Sequence, residues 1–179
     1  MLYEIQTYGK DVLRRKTNEI AVIDDTIREI VSNMFETMYA AEGIGLAAPQ
    51  VDKSIRLFVV DLSPMDESEG KRVFINPEIY AFNDEQDEYE EGCLSIPTIR
   101  EIVTRPTKIK IRYQNLVGES IDEEVDEFLA RVIQHEYDHL EQTLFVDHLS
   151  SLKKSLLKKT LNKIASGEIG VEDSENFEL

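Results

Sequence analysis

Two of the three histidines in this 179-residue chain lie in one short stretch, QHEYDHL at 134–140, where their spacing could hold a metal ion. His135 and His139 are four positions apart, which is about one turn of an α-helix and brings two imidazoles side by side. Glu136 lies next to the pair, where a carboxylate can take a proton from a metal-bound water. The pattern H-E-x-x-H is therefore typical of metallohydrolases, although a charged helix can also carry these residues without a site.

The residues before this stretch predict the helix that would carry it. From about Asp126 apolar side chains recur with helical spacing. At 100° per residue, both histidines and Glu136 fall on the same third of the circumference as Phe128 and Val132. This face is otherwise apolar, and an unpaired glutamate is expensive to bury there. The pattern therefore favours a functional site on the buried face of the helix.

Two common arrangements for a third metal ligand are disfavoured by the residues that follow. A catalytic metal needs a third protein ligand and an open position for water. The metzincin pattern requires glycine at 142 and histidine at 145, whereas the chain has Gln142 and Phe145. The thermolysin-like arrangement uses a downstream glutamate, and residues 143–167 contain none.

Three other residues stay open as the third ligand. Asp147 and His148 carry suitable atoms but lie after the predicted end of the helix. Cys93 is the only cysteine, so no intramolecular disulfide can form. The two acidic residues ahead of the Gly–Cys pair do not favour a free thiolate, whereas a bound metal would deprotonate the sulfur. Cys93 is accordingly either a metal ligand or a small buried side chain.

The remaining patterns predict helices near both ends of the chain and short strands between them. Residues 24–41 repeat apolar side chains with helical spacing, and Asp24 and Asp25 suit the N-cap. An acidic segment, DEQDEYEE at 84–91, is interpreted as a loop or a solvated face, and Pro77 as the end of a strand. Strands are predicted by four runs: IRLFVVDL at 55–62, RVFINP at 72–77, KIKIRYQN at 108–115 and SIDEEV at 120–125. The fold class is therefore α+β, with mainly antiparallel β-sheets packed around a central metal-binding helix, and with an N-terminal and a C-terminal helix.

The C-terminal region is predicted to form a lysine-rich helix followed by an acidic tail. Residues 149–166 contain five lysines and no acidic residue. Residues 1–166 are predicted to form a single domain, and residues 167–179 a flexible tail. The buried stripe of the helix is expected to consist of four aliphatic residues: Leu149, Leu152, Leu156 and Ile164.

Composition excludes several classes of function. The formal charge of -16 argues against broad nucleic-acid binding, which needs clustered lysine and arginine. No apolar run approaches the ~18 residues that cross a bilayer. The N-terminal segment MLYEIQTYGKDVLRR has no apolar core of the kind a secretion signal requires. We therefore expect a cytoplasmic protein without membrane association.

Three segments together resemble the signature motifs of the peptide deformylase family. They are GIGLAAPQ at 43–50, EGCLS at 91–95 and QHEYDHL at 134–140, in the family's order and separation. The resemblance spans residues 1 to about 165, and the helical C-terminus resembles the bacterial type 1 group. It implies one divalent metal ion, Fe²⁺ natively in most members, with Zn²⁺, Ni²⁺ or Co²⁺ as substitutes. The implied ligands are Cys93, His135 and His139.

The resemblance also implies a reaction. It is the hydrolysis of the N-formyl group from the initiator formyl-methionine of a nascent polypeptide, which releases formate. A metal-bound water would be the nucleophile, with Glu136 as general base and then general acid. The developing oxyanion would receive hydrogen bonds from the side-chain amide of Gln50 and the backbone N–H of Leu94.

The substrate would lie along the glycine-containing motif. Gly45 and its neighbours can let a peptide backbone lie against the chain like an added strand. Ile44 is the motif-based candidate for a pocket that takes the methionine side chain. Phe128 and Val132 are added from their spacing before His135, although either is also consistent with a place in the core.

Three charged residues are candidates for orienting the motif residues. Glu91 and Asp138 would act on them through Arg105 or an imidazole N–H, or would simply be surface charges. One position departs from the family pattern, because many relatives have glycine where Gln142 stands just past the helix.

The lysine-rich helix has two interpretations, and the whole chain has two rivals to the deformylase function. The helix either packs its leucines on the domain and leaves its lysines in water, or docks on the ribosome near the peptide exit.

The rivals to the deformylase function are a metallopeptidase that cleaves internal peptide bonds and a non-catalytic metal-binding protein. A metallopeptidase would use a third ligand other than Cys93, and a non-catalytic protein would tolerate Glu136→Gln.

Overall fold

The computed structural model describes residues 1–174, which contain three α-helices and seven β-strands. Short 3₁₀ turns at 48–51 and 145–148 also belong to the region around the histidines. In chain order the elements are α1 Asp25–Ala40, β1 Gly45–Ala47, β2 Leu57–Asp61, β3 Lys71–Phe82, β4 Gln86–Glu91, β5 Glu101–Pro106, β6 Lys108–Gln114, β7 Ser120–Asp126, α2 Glu127–Leu140 and α3 Ser151–Ala165.

The strands form two antiparallel sheets. Five strands are ordered β1-β2-β3-β6-β7, and β4 pairs with β5 in a separate two-stranded sheet. β1 is an edge strand that pairs with β2 on one side, with Gly45 opposite Val60 and Ala47 opposite Phe58. Helix α2 packs on this larger sheet, and in the chain it lies between the N-terminal helix α1 and the C-terminal helix α3. The predicted α+β class is confirmed.

Strand β2 explains why an uninterrupted apolar run forms a strand here. Successive side chains of a strand point to opposite faces. Phe58 and Val60 enter a cluster that contains the apolar residues of α2, whereas Leu57 and Val59 enter a cluster with α1. Both faces of β2 are therefore buried, and the sheet lies between two helical layers.

One predicted strand end is wrong, and a segment interpreted as a loop or a solvated face forms a strand. β3 continues through Pro77, because a register shift between Ile75 and Glu78 places the proline in a bulge, where no ladder hydrogen bond from it is needed. The acidic segment, which was interpreted as a loop or a solvated face, contains strand β4, which pairs along its whole length with β5 and leaves its acidic side chains in solvent. Five of the six residues of β4 are exposed. Its sequence is therefore mostly polar and lacks the alternation of apolar and polar residues that predicts a strand.

The buried stripe of α3 also differs from the prediction. Leu152 and Leu156 are 71% and 74% exposed. The helix starts at Ser151, capped by Ser150. The aliphatic residues that it buries or partly buries are Leu157, Leu161 and Ile164, which are spaced four and three apart. Two leucines therefore stand in solvent among the lysines.

Part of the predicted acidic tail lies against the domain. Ile169 packs on the cluster that contains Leu161 and Ile164, and the backbone N–H of Thr98 donates to Oγ of Ser174 at 3.2 Å. Residues 167–174 are therefore in contact with the body, whereas residues 175–179 lie outside the described part of the chain. Among the described helices, none combines the length and hydropathy needed to cross a bilayer.

Candidate metal centre

Cys93, His135 and His139 converge in the interior. One ligand atom from each side chain lies within 4.8 Å of the other two, and all three residues are buried. Sγ of Cys93 is 3.4 Å from Nε2 of His139. The cysteine follows β4 in the chain and the histidines lie one turn apart on α2, so the fold joins segments that are distant in sequence.

This donor set suits a divalent metal ion. With bonds of about 2.3 Å to sulfur and 2.0–2.1 Å to nitrogen, two ligands of one tetrahedral ion are separated by about 3.6 Å, near the observed spacing. Nε2 of His135 is buried and has no hydrogen-bond partner within residues 1–174. Burial, and then repulsion from His135, lower the pKa of His139 to about 3, so this imidazole is neutral as a metal ligand must be.

The tautomer of His135 is fixed by Glu91. Nδ1 of His135 lies 2.8 Å from Oε1 of Glu91. Burial alone would raise the pKa of Glu91, but hydrogen bonds from His135 and Arg105 lower it below its usual range. Because an ionised carboxylate only accepts hydrogen bonds, Nδ1 carries the hydrogen and Nε2 keeps its lone pair for the centre.

A buried network of charges extends from Glu91 to the surface. Arg105 donates to both oxygens of Glu91, at 2.7 and 2.9 Å, and to Asp138 at 2.9 Å. Asp138 is also 2.7 Å from Nε2 of His148. The structure thus joins Glu91, Arg105 and Asp138 in one network, rather than leaving the two carboxylates as surface charges.

Arg131 belongs to the same network and was not identified from the sequence. It lies one turn before His135 on α2, and its side chain is nearly fully buried. It donates to Glu91 at 2.8 Å and to the carbonyl of Val103 at 2.8 Å, and it pairs with Asp87. The sequence did carry a signal for it: Arg131 is a charged residue at a position that the helical period places on the buried face of α2.

Glu136 is fully buried next to the three donors. Neither carboxylate oxygen has a hydrogen-bond partner among the described residues. Burial raises the pKa of Glu136 well above its usual value, and the negative charge of Glu91 raises it further. A buried carboxyl group without partners is costly unless something else interacts with it.

Glycine at position 45 lets β1 approach this carboxylate. A Cβ atom added to Gly45 would lie 2.5 Å from Oε1 of Glu136, a distance that real Cβ atoms essentially never show. The edge strand β1 and helix α2 therefore touch at this point, and the absence of a side chain at position 45 is required for the contact.

Gln50 and Leu94 lie beside the same centre. The side-chain oxygen of Gln50 accepts from the backbone N–H of Ala47 at 2.8 Å, which turns its amide nitrogen toward Cys93, 3.5 Å away, and Ser95, 3.1 Å away. The backbone N–H of Leu94 donates no hydrogen bond to another residue within 1–174. Both residues therefore present an N–H donor close to the three clustered side chains.

The apolar residues predicted for a methionine pocket share one hydrophobic cluster. Ile44 and Val132 are buried in it, and Phe128 packs against it. The ring of Phe128 also lies against that of Tyr89, with centroids 5.3 Å apart and the rings tilted by 50°. The contacts bring the three together beside α2. Whether they form a pocket or only a core stays a prediction.

The other residues considered as third ligand lie elsewhere. Asp147 forms an ion pair with Arg14, and His148 lies against Asp138 at the outer end of the charge network. Within residues 1–174, the group of side chains that could hold a metal ion consists of Cys93, His135 and His139.

The fold and this centre define a class of protein: an α+β hydrolase built on an H-E-x-x-H helix, with a cysteine and two histidines as its donor set. Comparisons with known proteins narrow the class. The model of the polypeptide deformylase family matches residues 2–155. A peptide deformylase of Salinibacter ruber is 44% identical over 178 residues, covering 94% of this chain and 91% of the relative.

Solved structures of peptide deformylases are also similar to this chain. A peptide deformylase from Legionella pneumophila has a TM-score of 0.85 at 33% identity, covering 94% of this chain and 98% of that one. The peptide deformylase from Thermotoga maritima has a TM-score of 0.79 at 41% identity, covering 84% and 99% of the two chains. The chain belongs to the peptide deformylase family and is an enzyme of that family.

Proposed function

We propose that this chain removes the N-formyl group from the N-terminal formyl-methionine of nascent polypeptides and releases formate. The observation that carries the proposal is the carboxyl group of Glu136, which is fully buried and has no hydrogen-bond partner within residues 1–174. It lies beside a Cys–His–His donor set and against Gly45 of the edge strand β1. A proton-transferring group, a metal-capable cluster and a place for a peptide backbone therefore meet at one point.

Cys93, His135 and His139 would hold one divalent metal ion. When bound, such an ion supplies a water of lowered pKa and polarises a carbonyl oxygen. One thiolate and two imidazoles suit iron, zinc and nickel alike, and the resemblance to the family favours Fe²⁺ as the native ion, with Zn²⁺, Ni²⁺ or Co²⁺ as substitutes.

Glu136 would act as general base and then as general acid. Its raised pKa suits a group that takes a proton from water and returns it to the leaving amine at neutral pH. The amide of Gln50 and the backbone N–H of Leu94 would donate hydrogen bonds to the carbonyl oxygen as it becomes an oxyanion. Glu91, with Arg105 and Asp138, would keep His135 oriented.

The peptide would bind as an added strand on β1, because β1 has an unpaired edge in the sheet. Gly45 would lie opposite the first residue of the substrate. Ile44, Phe128 and Val132 would line the pocket for the methionine side chain, which is consistent with their place in one apolar cluster.

One assay tests this function. Protein prepared anaerobically and loaded with Fe²⁺ is incubated with formyl-Met-Ala-Ser and, separately, with an unformylated protein. We expect formate from the first and no cleavage of the second. Glu136→Gln should lower the rate by about 100- to 10,000-fold while one metal ion per chain is retained. Glu141→Gln, an exposed change at the end of the same helix, is the matched control.

The rival functions give different results in this assay. Cleavage of the unformylated protein would support a metallopeptidase, and metal binding without formate release would support a non-catalytic protein. A Glu136→Gln variant as active as the Glu141→Gln control would refute the role proposed for Glu136.

We further propose the cytoplasm as the compartment and the ribosome near the peptide exit as a partner of α3, because nascent chains are the substrate. Two exposed leucines lie among the lysines of α3, and Lys154, Lys158 and Lys159 form no ion pair with a described residue. Changing these three lysines to glutamate should reduce co-sedimentation with ribosomes and leave turnover of formyl-Met-Ala-Ser unchanged. Undiminished co-sedimentation would refute this partner.

A further inference from the structure

His148, the one histidine outside the donor set, is an exposed end of the buried charge network. Its side chain is 37% exposed, and that of its partner Asp138 is 19% exposed. Further along the network the exposed fraction falls to 5% at Arg105, and Glu91 is fully buried. This path therefore runs from the surface at His148 to the interior beside the metal centre.

Two donors from different elements hold one oxygen atom of Asp138. Oδ2 of Asp138 lies 2.9 Å from Nη1 of Arg105 and 2.7 Å from Nε2 of His148. An aspartate paired with arginine is ionised and only accepts hydrogen bonds, so Nε2 of His148 carries the hydrogen. The two bonds together fix this carboxylate, which belongs to the residue immediately before the candidate ligand His139.

The position of Asp138 bears on His135 through two further contacts. Arg105 uses Nη1 for Asp138, and its other two nitrogens, Nε and Nη2, for the two oxygens of Glu91. A guanidinium group is a planar, rigid fork, so a shift of one acceptor turns the group relative to the other acceptor. Glu91 in turn sets the orientation of His135. A side chain that fixes Asp138 therefore also limits the movement of this imidazole.

The 3₁₀ turn that carries His148 also contacts His135 directly. Its first residue, Phe145, is buried, and its ring lies against the imidazole of His135 with centroids 6.0 Å apart and planes inclined by 27°. Asp147 of the same turn is held by an ion pair with Arg14. One short segment thus supports this imidazole by an apolar contact at its start and through the charge network at its end.

We propose that His148 is a positioning residue for the metal centre: its hydrogen bond to Asp138 holds the chain of contacts that orients His135. This role rests on the metal centre of the proposed function. Removing the bond should weaken metal binding although the three donor side chains themselves are unchanged.

Two substitutions with side chains of equal length test this role. Glutamine can place an amide N–H near the position of Nε2, whereas methionine has no donor. We expect His148→Met to lower the affinity for Zn²⁺ by about three- to tenfold, the order of effect that residues along a coupled network produce. His148→Gln should keep most of the native affinity. Competition with a chromophoric chelator measures both changes.

Arg14→Met is the matched control for a general loosening of the turn. It removes the ion pair with Asp147, the neighbour of His148, and should lower the free energy of unfolding without changing the affinity for Zn²⁺. Urea unfolding of the same three variants measures stability beside affinity.

A double variant shows whether His148 acts through the network. In a Glu91→Gln background, His148→Met should change the affinity for Zn²⁺ by less than about twofold, because both residues act on His135 by the same route. Two independent sites would instead give effects that multiply.

The outcomes separate this role from the proposed function. Native affinity in His148→Met would overturn the role, and so would a loss in His148→Gln or Arg14→Met equal to that in His148→Met. An undiminished effect of His148→Met in the Glu91→Gln background would also overturn it. A native chain that binds no Zn²⁺ would instead refute the metal centre on which the proposed function rests.

Discussion

Glu91 orients the imidazole of His135 through the ring nitrogen that is not available to a metal ion. Oε1 of Glu91 lies 2.8 Å from Nδ1 of His135, and neither side chain reaches solvent. The carboxylate is itself fixed by Arg105 and Arg131 from two different elements, β5 and α2. The orientation of one imidazole in the centre therefore depends on an ion network that ties the two-stranded sheet to the helix of the site.

Replacing Glu91 by glutamine should weaken metal binding. The glutamine amide can still contact Nδ1 of His135, but it can bond to that nitrogen with or without a hydrogen on it. It also carries no negative charge to neutralise Arg105 and Arg131. Loss of such a partner typically costs about 10- to 100-fold in metal affinity. Competition with a chromophoric chelator for Zn²⁺ measures the change. Glu90→Gln alters an exposed residue of the same strand and is the control; equal affinities in the two variants would contradict the role of Glu91.

Replacing Arg131 by leucine should destabilise the fold. The change leaves Glu91, the carbonyl of Val103 and Asp87 each without a donor that they have in the native protein. Breaking a buried ion pair from one side costs about 3–5 kcal/mol in the free energy of unfolding. Urea unfolding monitored by circular dichroism gives this quantity. Arg28→Leu, which removes an exposed arginine paired with Asp25, should change it by less than ~0.5 kcal/mol.

The sequence predicted those elements whose residues repeat with a clear period. Helix α1 and strands β6 and β7 carry such patterns, and each lies within about two residues of its predicted range. β4 was missed because its outward residues are acidic and its stability comes from pairing with β5, which no local pattern reveals. Of the stripe predicted for α3, Leu149 and Ile164 are buried as expected, although Leu149 precedes the helix. Leu152 and Leu156 face away from the core, and Leu157 and Leu161 pack on it instead.

Part of the candidate site was also predictable from the period of the sequence. The helical period alone brings His135, Glu136 and His139 to one buried face. The cysteine is joined to them only through the pairing of β4 with β5 and the packing of α2, so spacing left three candidates and the family resemblance singled out Cys93. Arg131 lies in this network through contacts with three other segments, which the sequence does not indicate.

Glycine at position 142 should give a more stable protein than alanine there. Gln142 has a φ of 56° just after α2, in the left-handed region that favours glycine. The free energy of unfolding should rise by about 1 kcal/mol relative to Gln142→Ala. The alanine variant keeps the strained backbone but, like glycine, loses the side-chain hydrogen bond to the carbonyl of Leu140. If the two variants unfold at the same urea concentration, the left-handed backbone carries no penalty at this position.

Replacing Gly45 by alanine should abolish most activity without removing the donor set. The new methyl group would lie 2.5 Å from Oε1 of Glu136, so either the carboxylate or strand β1 must shift. A displacement of about 1 Å at a reacting group can cost on the order of 100-fold in rate. Formate release from formyl-Met-Ala-Ser should fall by this factor. Zn²⁺ affinity should stay near that of the native protein, because the three atoms nearest to the added methyl group all belong to Glu136, which is not one of the three donors. Gly70→Ala introduces the same methyl group where no atom lies within 4 Å and provides the control. If Gly45→Ala were as active as Gly70→Ala, the close contact between β1 and Glu136 would not matter for the reaction.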